Sequence, residues 1–278
     1  MKKIFALIAA AILLTVLCCS CGAPASTVKV IDIALSEEFY AFCVNKEDAT
    51  LLTKVNEYLA QIKEDGTFDA ICNNYFGDGT PNKVESAKED ASKDQLIVAT
   101  STGFEPFEMV EAGKYFGIDL EIAAGLAEYL GKELVIKDMQ FEGVVTSVQQ
   151  GICDIGMAGL SITPEREKVV TFSDSYYSAN QTLVVPADNT EFDECKTADD
   201  VAAILNAKTT DCKIGCQKGT TGALYISGDE GYGFAGLNAT KMEYDYAALA
   251  MTAMINGEID YVIVDDAPAN AIAKAMNG

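Results

Sequence analysis

The stretch Gly156–Lys168, GMAGLSITPEREK, holds the residues whose types and order point most directly to chemistry. A short apolar run from Cys153 to Met157 breaks at Ala158-Gly159 and passes through Ser161 into Thr163-Pro164-Glu165-Arg166. Thr163 reads as a helix N-cap, Pro164 as the first helical residue and Glu165 as the first-turn acid. Arg166 is thereby expected in the first turn of a helix that begins at the end of a strand. A cation beside unpaired backbone N–H groups does not help a helix, because the macrodipole there favours negative charge. An anion between them resolves the conflict, since a guanidinium fork grips a carboxylate through two parallel bonds. An ordinary surface arginine on a short helix is the plainer reading, and these residues alone leave both open.

The elements that must position this stretch follow from periodicity. Val28–Ile33 and Phe39–Val44 read as strands. Leu51, Leu52, Val55, Tyr58, Leu59 and Ile62 recur at helical spacing, with Gly66 placed to end that helix and a shorter one over Phe68–Tyr75. Asp78–Asp94 has almost no apolar content and reads as a linker. After it, strands at Leu96–Thr100, Leu134–Met139 and Cys153–Met157 alternate with helices at Asp119–Leu130 and Phe141–Gln150. A second block follows: a strand at Thr182–Val185, a helix at Ala198–Leu205, a strand at Lys213–Cys216, and a helix after Gly219-Thr220-Thr221-Gly222. It ends with a helix at Tyr246–Ile255, a strand at Ile259–Val264 and a helix at Ala267–Met276. Such alternation predicts α/β units with mostly parallel sheets.

In such sheets ligands lie outside the carboxyl ends of the strands. Ser101–Phe104, Ala158–Arg166, Lys218–Gly222 and Asp265-Asp266 all fall there. The Gly-Thr-Thr-Gly turn can present N–H groups to an anion. Asp265-Asp266 ends an apolar strand, so its carboxylates can accept a cation, although one of the pair can equally cap the following helix. Phe104 and Phe141 each follow a strand end and are either core or a bracket around an apolar stem. Arginine and amide donors on one side and a carboxylate on the other suit the two ends of a zwitterion.

Composition narrows the classes. The chain has 278 residues, enough for two domains, with 49% hydrophobic and 22% charged residues. A net charge of −22 argues against nucleic acid as a partner. With no histidine, histidine catalysis and the common histidine zinc sites are excluded, and neither a metal nor a cofactor is expected. Lys2-Lys3 and the apolar Ile4–Leu17 form an export signal too short for a comfortable permanent span. The following Cys18-Cys19-Ser20-Cys21-Gly22 looks like a lipoprotein signal over residues 1–20. Cys21 is the expected lipidation site, with Cys18, Cys19 or a plain secretory peptide as alternatives. Residues 1–20 carry two lysines and no acid, so their removal takes the net charge from −22 to −24. Of the six later cysteines, Cys195 and Cys212 flank one helical segment and can form a disulfide in an extracytoplasmic location, while buried free thiols are expected for the other four.

Taken together, Val98–Phe107 (VATSTGFEPF), Met157–Arg166 (MAGLSITPER), Val170–Tyr177 (VTFSDSYY), Lys218–Gly222 (KGTTG) and Asp260–Pro268 (DYVIVDDAP) resemble the amino-acid-binding proteins of bacterial ABC importers. The resemblance implies a two-lobed, type II periplasmic-binding-protein-like α/β fold that closes over one amino acid. The order departs from that family. The segment resembling Val28–Gly77 normally forms the carboxyl terminus, so the chain reads as circularly permuted, with Asp78–Asp94 joining the old ends. The expected lobes are 38–172, containing the linker 78–94, and 28–37 plus 173–278.

The resemblance also assigns roles. Arg166 is expected to hold a ligand α-carboxylate, aided by Thr221 and its backbone N–H, with Thr220 beside it. Asp266 is expected to bind the α-ammonium, joined by the Gly159 carbonyl and the Ser161 hydroxyl. Phe104 and Phe141 would sandwich the ligand side chain. Ser101 falls where binders of lysine, arginine and histidine, and also of glutamine, commonly place an aspartate, which counts against a cationic ligand and leaves a polar uncharged one as the expectation, although Glu105, Glu142 and Gln217 lie close by. The implied function is a monomeric, lipid-anchored, extracytoplasmic binding protein delivering an amino acid to the permease subunits of an ABC importer. A small-acid dehydratase using Glu142 or Glu105, or a sensor ligand-binding domain, are the competing readings.

Overall fold

In a computed structural model, residues 27–278 are described. The signal segment and Cys21 lie outside them. The chain builds two five-stranded sheets, each with helices on both faces, joined by two extended crossovers.

The chain starts in one lobe with β1 (Val28–Ile31), reaches the crossover as β2 (Glu38–Tyr40) and enters the other lobe as β3 (Cys43–Asn45). The single strand expected over Phe39–Val44 is therefore two. Ala41 and Phe42, both fully buried, carry the chain from one lobe to the other between them. Helix α1 (Ala49–Glu64) begins at Asp48, whose side chain accepts from the Leu51 N–H. It stops at Asp65, and Gly66, with φ of +83°, instead makes the tight turn into α2 (Thr67–Phe76).

Asp78–Asp94 has no strand or helix, yet it is not a free tether. Val84 is buried and its N–H donates to Tyr115 O at 2.7 Å, Ala87 N–H donates to Leu134 O, and Asn82 is held by the Glu121 carboxylate. The expected linker is thus a packed strap on its lobe.

The first lobe continues through β4 (Gln95–Thr100), a small hairpin of β5 (Met109–Glu111) and β6 (Lys114–Phe116), α3 (Ile118–Leu130), β7 (Glu133–Asp138), α4 (Phe141–Gln149), β8 (Ile155–Gly156), the single turn α5 (Pro164–Glu167) and β9 (Val170–Phe172). Its sheet order is β7-β4-β8-β3-β9. The second crossover, β10 (Tyr177–Ala179), pairs with β2. The second lobe holds β11 (Gln181–Pro186), α6 (Ala198–Asn206), β12 (Lys213–Gln217), α7 (Thr221–Ser227), β13 (Thr240–Tyr244), α8 (Ala247–Ile255), β14 (Tyr261–Asp265) and α9 (Asp266–Asn277), in the order β1-β11-β14-β12-β13.

Each sheet is mixed rather than mostly parallel. β4 pairs in parallel with β7 and β8, and β12 with β13 and β14. The strands next to the crossovers, β3 and β9 in one lobe and β1 and β11 in the other, pair antiparallel. A chain that leaves one lobe and returns must run both ways beside the hinge, which periodicity does not reveal. The first and last described segments also meet: Asn277 Oδ1 accepts from Thr27 N at 2.7 Å, and its Nδ2 donates to Val28 O.

The cores differ in chemistry. One face of the first lobe packs Tyr40, Phe42, Phe104 and Phe107 with α1 and α3 residues, and its other face packs Cys43, Val144, Val148 and Leu160. The second lobe is mainly aliphatic, with Leu183, Ile214 and Ile263 on one face and Val184, Met251, Val262 and Ile272 on the other. Cys195 and Cys212 share a core cluster but both carry free thiols, so the disulfide considered for them is not formed.

Candidate functional site

The site assembles where strand ends and crossovers meet. Thr163 caps α5 through a bond from Arg166 N–H at 3.2 Å, and Pro164 occupies the first helical position. The helix is one turn long, which fixes Arg166 immediately after the loop from β8. Its guanidinium lies over the Phe141 ring at 5.2 Å and reaches both lobes, donating to Ser161 O at 2.6 Å and Gly219 O at 3.1 Å. Loss of solvation pulls its pKa down, while Cys43, Glu38 and Asp265 oppose that shift. Both acceptors are backbone carbonyls, so among the described residues the cation has no carboxylate partner.

Gly159, with φ of +52°, sits against Phe104: a Cβ there would lie 2.7 Å from the ring. Its N–H donates to Asp119 Oδ2 at 2.9 Å, and Asp119 Oδ1 accepts from Tyr176 OH at 2.5 Å. Burial raises the Asp119 pKa to about 6 against those bonds. Burial, then the adjacent Asp119, pushes the Glu108 pKa well up. Asp119 fixes the Gly159 loop from beneath.

From the second lobe, Thr221 opens α7 and its hydroxyl donates to Glu38 Oε2 at 2.6 Å. Thr220 Oγ1 donates to Gln217 O instead of capping the helix. Gln217 donates to Asp245 O, while its buried Oε1 and the buried Ser101 Oγ have no partner. Phe104 packs with Tyr40 and Phe107 in the first-lobe core, whereas Phe141 lies beneath Arg166.

Asp266, expected to bind an ammonium, does not join this cluster. Asp266 accepts from Ala267 N–H and Asn180 Nδ2 at the start of α9, and lines a cavity of about 650 Å³ with Tyr177 and Phe76. The carboxylate beside the site is that of Asp265, 4% exposed and accepting from Tyr40 OH at 2.6 Å. Burial first, and then the charge of Glu38, raises its pKa. Asp265 is the last residue of β14 and makes no cap bond, so its side chain turns to Tyr40 and not to the start of α9. The strand ends between the two adjacent acids: Asp265 belongs to β14, whereas Asp266 already belongs to α9.

Two residues were not anticipated. Glu38 is fully buried and accepts from Ser161 Oγ and Thr221 Oγ1, both at 2.6 Å, and from Ser36 Oγ at 2.8 Å. Tyr40 holds Asp265. Both belong to β2, and only their alternation in Glu38-Phe39-Tyr40 hinted that they share a face. Glu142 is exposed on the first turn of α4, and Glu105 lines outer cavities instead.

A guanidinium, two buried carboxylates and paired hydroxyls thus converge between two lobes that touch. Residues 96–266 match the family model described as bacterial extracellular solute-binding proteins, family 3. The chain belongs to that family. Among its members, the chain is 38% identical over 100 residues to the arginine-binding extracellular protein ArtP of Bacillus subtilis, covering 36% of this chain and 39% of that relative's length. It is 27% identical over 190 residues to the arginine-binding periplasmic protein of Mannheimia haemolytica, covering 66% and 68%. A solved ancestral amino-acid-binding protein, a precursor of cyclohexadienyl dehydratase, superposes with a TM-score of 0.56 at 32% identity, over 66% of this chain and 74% of that one. A single-glycine mutant of arginine-bound ArgBP from T. maritima gives 0.53 at 31%, over 66% and 78%. The family and these relatives are binding proteins. Among the described residues, no helix is long and apolar enough to cross a membrane.

Proposed function

We propose that this solute-binding protein closes over one amino acid and delivers it to the permease of an ABC importer, tethered outside the cytoplasm by a lipid on Cys21. The observation that carries the ligand class is the juxtaposition of Arg166 with buried Asp265 across the two lobes. Arg166 takes the α-carboxylate and Asp265 the α-ammonium, with Gly159, Ser161 and Thr221 around them. A charge-assisted hydrogen bond contributes about 1.5–3 kcal/mol, so a few such contacts suffice for micromolar affinity. Closure follows because the ligand gains contacts from the second lobe only in the closed state.

The charge balance favours a cationic amino acid over a polar uncharged one. The site holds one guanidinium and two buried carboxylates, Glu38 and Asp265, and among the described residues neither acid has an ion-pair partner. A zwitterion adds no net charge, whereas a cationic ligand restores balance. The names of the arginine-binding relatives agree with this reading, and the free Ser101 Oγ and Gln217 Oε1 offer acceptors to a guanidinium. The exposure of Glu142 and the place of Glu105 on outer cavities support binding over dehydration.

The permuted order is part of the proposal. It is supported by the bonded Val28 and Asn277, by β3 inserted between β8 and β9, and by a family match that begins at residue 96. The lobes then comprise 38–172 and 28–37 plus 173–278. A thermal-shift screen against the twenty amino acids tests the reading: a cationic amino acid should give the largest rise in melting temperature. No shift with any amino acid overturns it.

A further inference from the structure

Glu38 makes an arrangement that the contacts to an amino acid do not require. It stands on β2, the crossover strand, and one oxygen, Oε2, accepts hydroxyl protons from both lobes: Ser161 from the loop after β8 and Thr221 from the start of α7. Its other oxygen is occupied by Ser36. A hydroxyl has one proton and two lone pairs. Once that proton is given to Glu38, the oxygen can only accept from a third group. Thr221 Oγ1 already accepts one bond, from Gln181 Nε2 at 3.1 Å, which agrees with its proton pointing at Glu38.

The guanidinium of Arg166 is near enough for Glu38 to favour its charged form, yet it makes no bond to this acid, since its bonds go to Ser161 O and Gly219 O. A buried carboxylate without a bonded cation is unfavourable, and the deficit is relieved when a ligand brings one.

We propose that Glu38 is a specificity-determining residue of this site. By taking the hydroxyl protons of Ser161 and Thr221, one from each lobe, it presents both oxygens to the cleft as acceptors, so that the ligand's α-ammonium docks there. The inference rests on the amino-acid-binding reading above and refines one role within it. The Thr221 hydroxyl serves the ammonium end, leaving the carboxylate to Arg166 and backbone N–H groups. Because the same oxygen ties both lobes, Glu38 also favours the closed arrangement before ligand arrives.

Isothermal titration of the mature chain tests this. The probe is the tightest binder among L-arginine, L-lysine, L-histidine and L-glutamine, together with its 2-hydroxy acid, which lacks the ammonium. In Glu38→Gln the amide donates to one or both hydroxyls and reverses their polarity. The expected result is at least a tenfold loss for the amino acid and less than a twofold loss for the hydroxy acid. Equal losses for both ligands, or no loss, overturn the inference, because a purely structural residue does not change that ratio. Thr221→Val, which removes one hydroxyl and keeps the shape, should move the ratio the same way and covers the case in which Glu38→Gln does not fold. Small-angle scattering without ligand should show a larger radius of gyration for Glu38→Gln than for the parent, and identical profiles also count against the inference. If the parent binds none of the amino acids, the functional reading itself fails; if it binds and the ratio is unmoved, only the role of Glu38 does.

Discussion

The two lobes meet the cleft in different ways. The first lobe's part of the candidate site is held by that lobe's own contacts. Thr163 caps the turn that carries Arg166, Phe141 lies under its guanidinium, and Asp119 with Tyr176 anchors the Gly159 loop. All of these contacts are internal to that lobe and the adjoining crossover. The second lobe supplies single side chains, Thr221 and Asp265, and each is bonded to a β2 residue, Glu38 or Tyr40. Its part of the site therefore depends on where the crossover lies. The first lobe should receive the ligand, and the second should report that closure has occurred.

The largest expected effect breaks the first lobe's part. Arg166→Ala removes two charge-assisted bonds to a carboxylate and should weaken every amino acid by a hundredfold or more, roughly 3 kcal/mol. Calorimetric titration reads this directly, and retention of tight binding removes Arg166 from the site.

Next comes the second lobe's acid. Asp265→Asn should weaken binding by about tenfold to a hundredfold, as loss of one charged partner predicts. It should also abolish a pH dependence. Burial and Glu38 raise the Asp265 pKa to about 7, whereas a ligand ammonium favours its ionised form. Ligand binding therefore lowers that pKa and releases a proton near neutrality, so affinity should rise as pH climbs from 5.5 to 8 and then level off. Titrations in buffers of different ionisation enthalpy measure the proton.

The unliganded chain should show the opposite trend. A carboxyl group whose folded pKa lies above its unfolded value stabilises the fold fully below the unfolded pKa, and that stability is lost as pH rises through the folded value. Asp265 at about 7 and Asp119 at about 6, from an ordinary 3.8, place the window between roughly pH 4 and 7. Urea denaturation without ligand should give lower stability at pH 7.5 than at pH 5, and Asp265→Asn should flatten part of that slope.

A smaller effect is expected from Thr163→Ala. Loss of an N-cap costs about 1 kcal/mol, and here it loosens the turn that aims Arg166, so thermal stability should fall and affinity should drop a few-fold. The smallest belongs to Asp266→Asn, which leaves the cleft unaltered and should change affinity less than twofold. A large loss there reverses the assignment between the two adjacent aspartates.

Much of this was legible in residue order. The Thr163-Pro164-Glu165-Arg166 turn, the helix ended by Gly131 and the strand–helix alternation are local, set by caps, φ preferences and periodicity, and the structure forms them within a residue or two. The split of Phe39–Val44 into β2 and β3 was not legible, because it rests on pairing with different partners, β2 with β10 at the crossover and β3 with β8 and β9 in the first-lobe sheet. Nor was the choice between Asp265 and Asp266, since both end the same apolar run and only the path of β14 past Tyr40 turns one of them inward. Glu38 carried no signal beyond being an acid beside Tyr40 in an apolar segment. It acquires a role because residues 123 and 183 positions away bring their hydroxyls to it.

The sequence by itself determined the family, the α/β character and the presence of an arginine poised at a strand end. Those properties depend on short-range spacing and on apolar periodicity, which are written along the chain. Tertiary structure alone decided which acid faces that arginine, how the crossover ties the two lobes together, and how the hydroxyl protons are shared. Each of those is a contact between residues far apart in the chain, and its geometry exists only once the two sheets are packed on either side of the hinge.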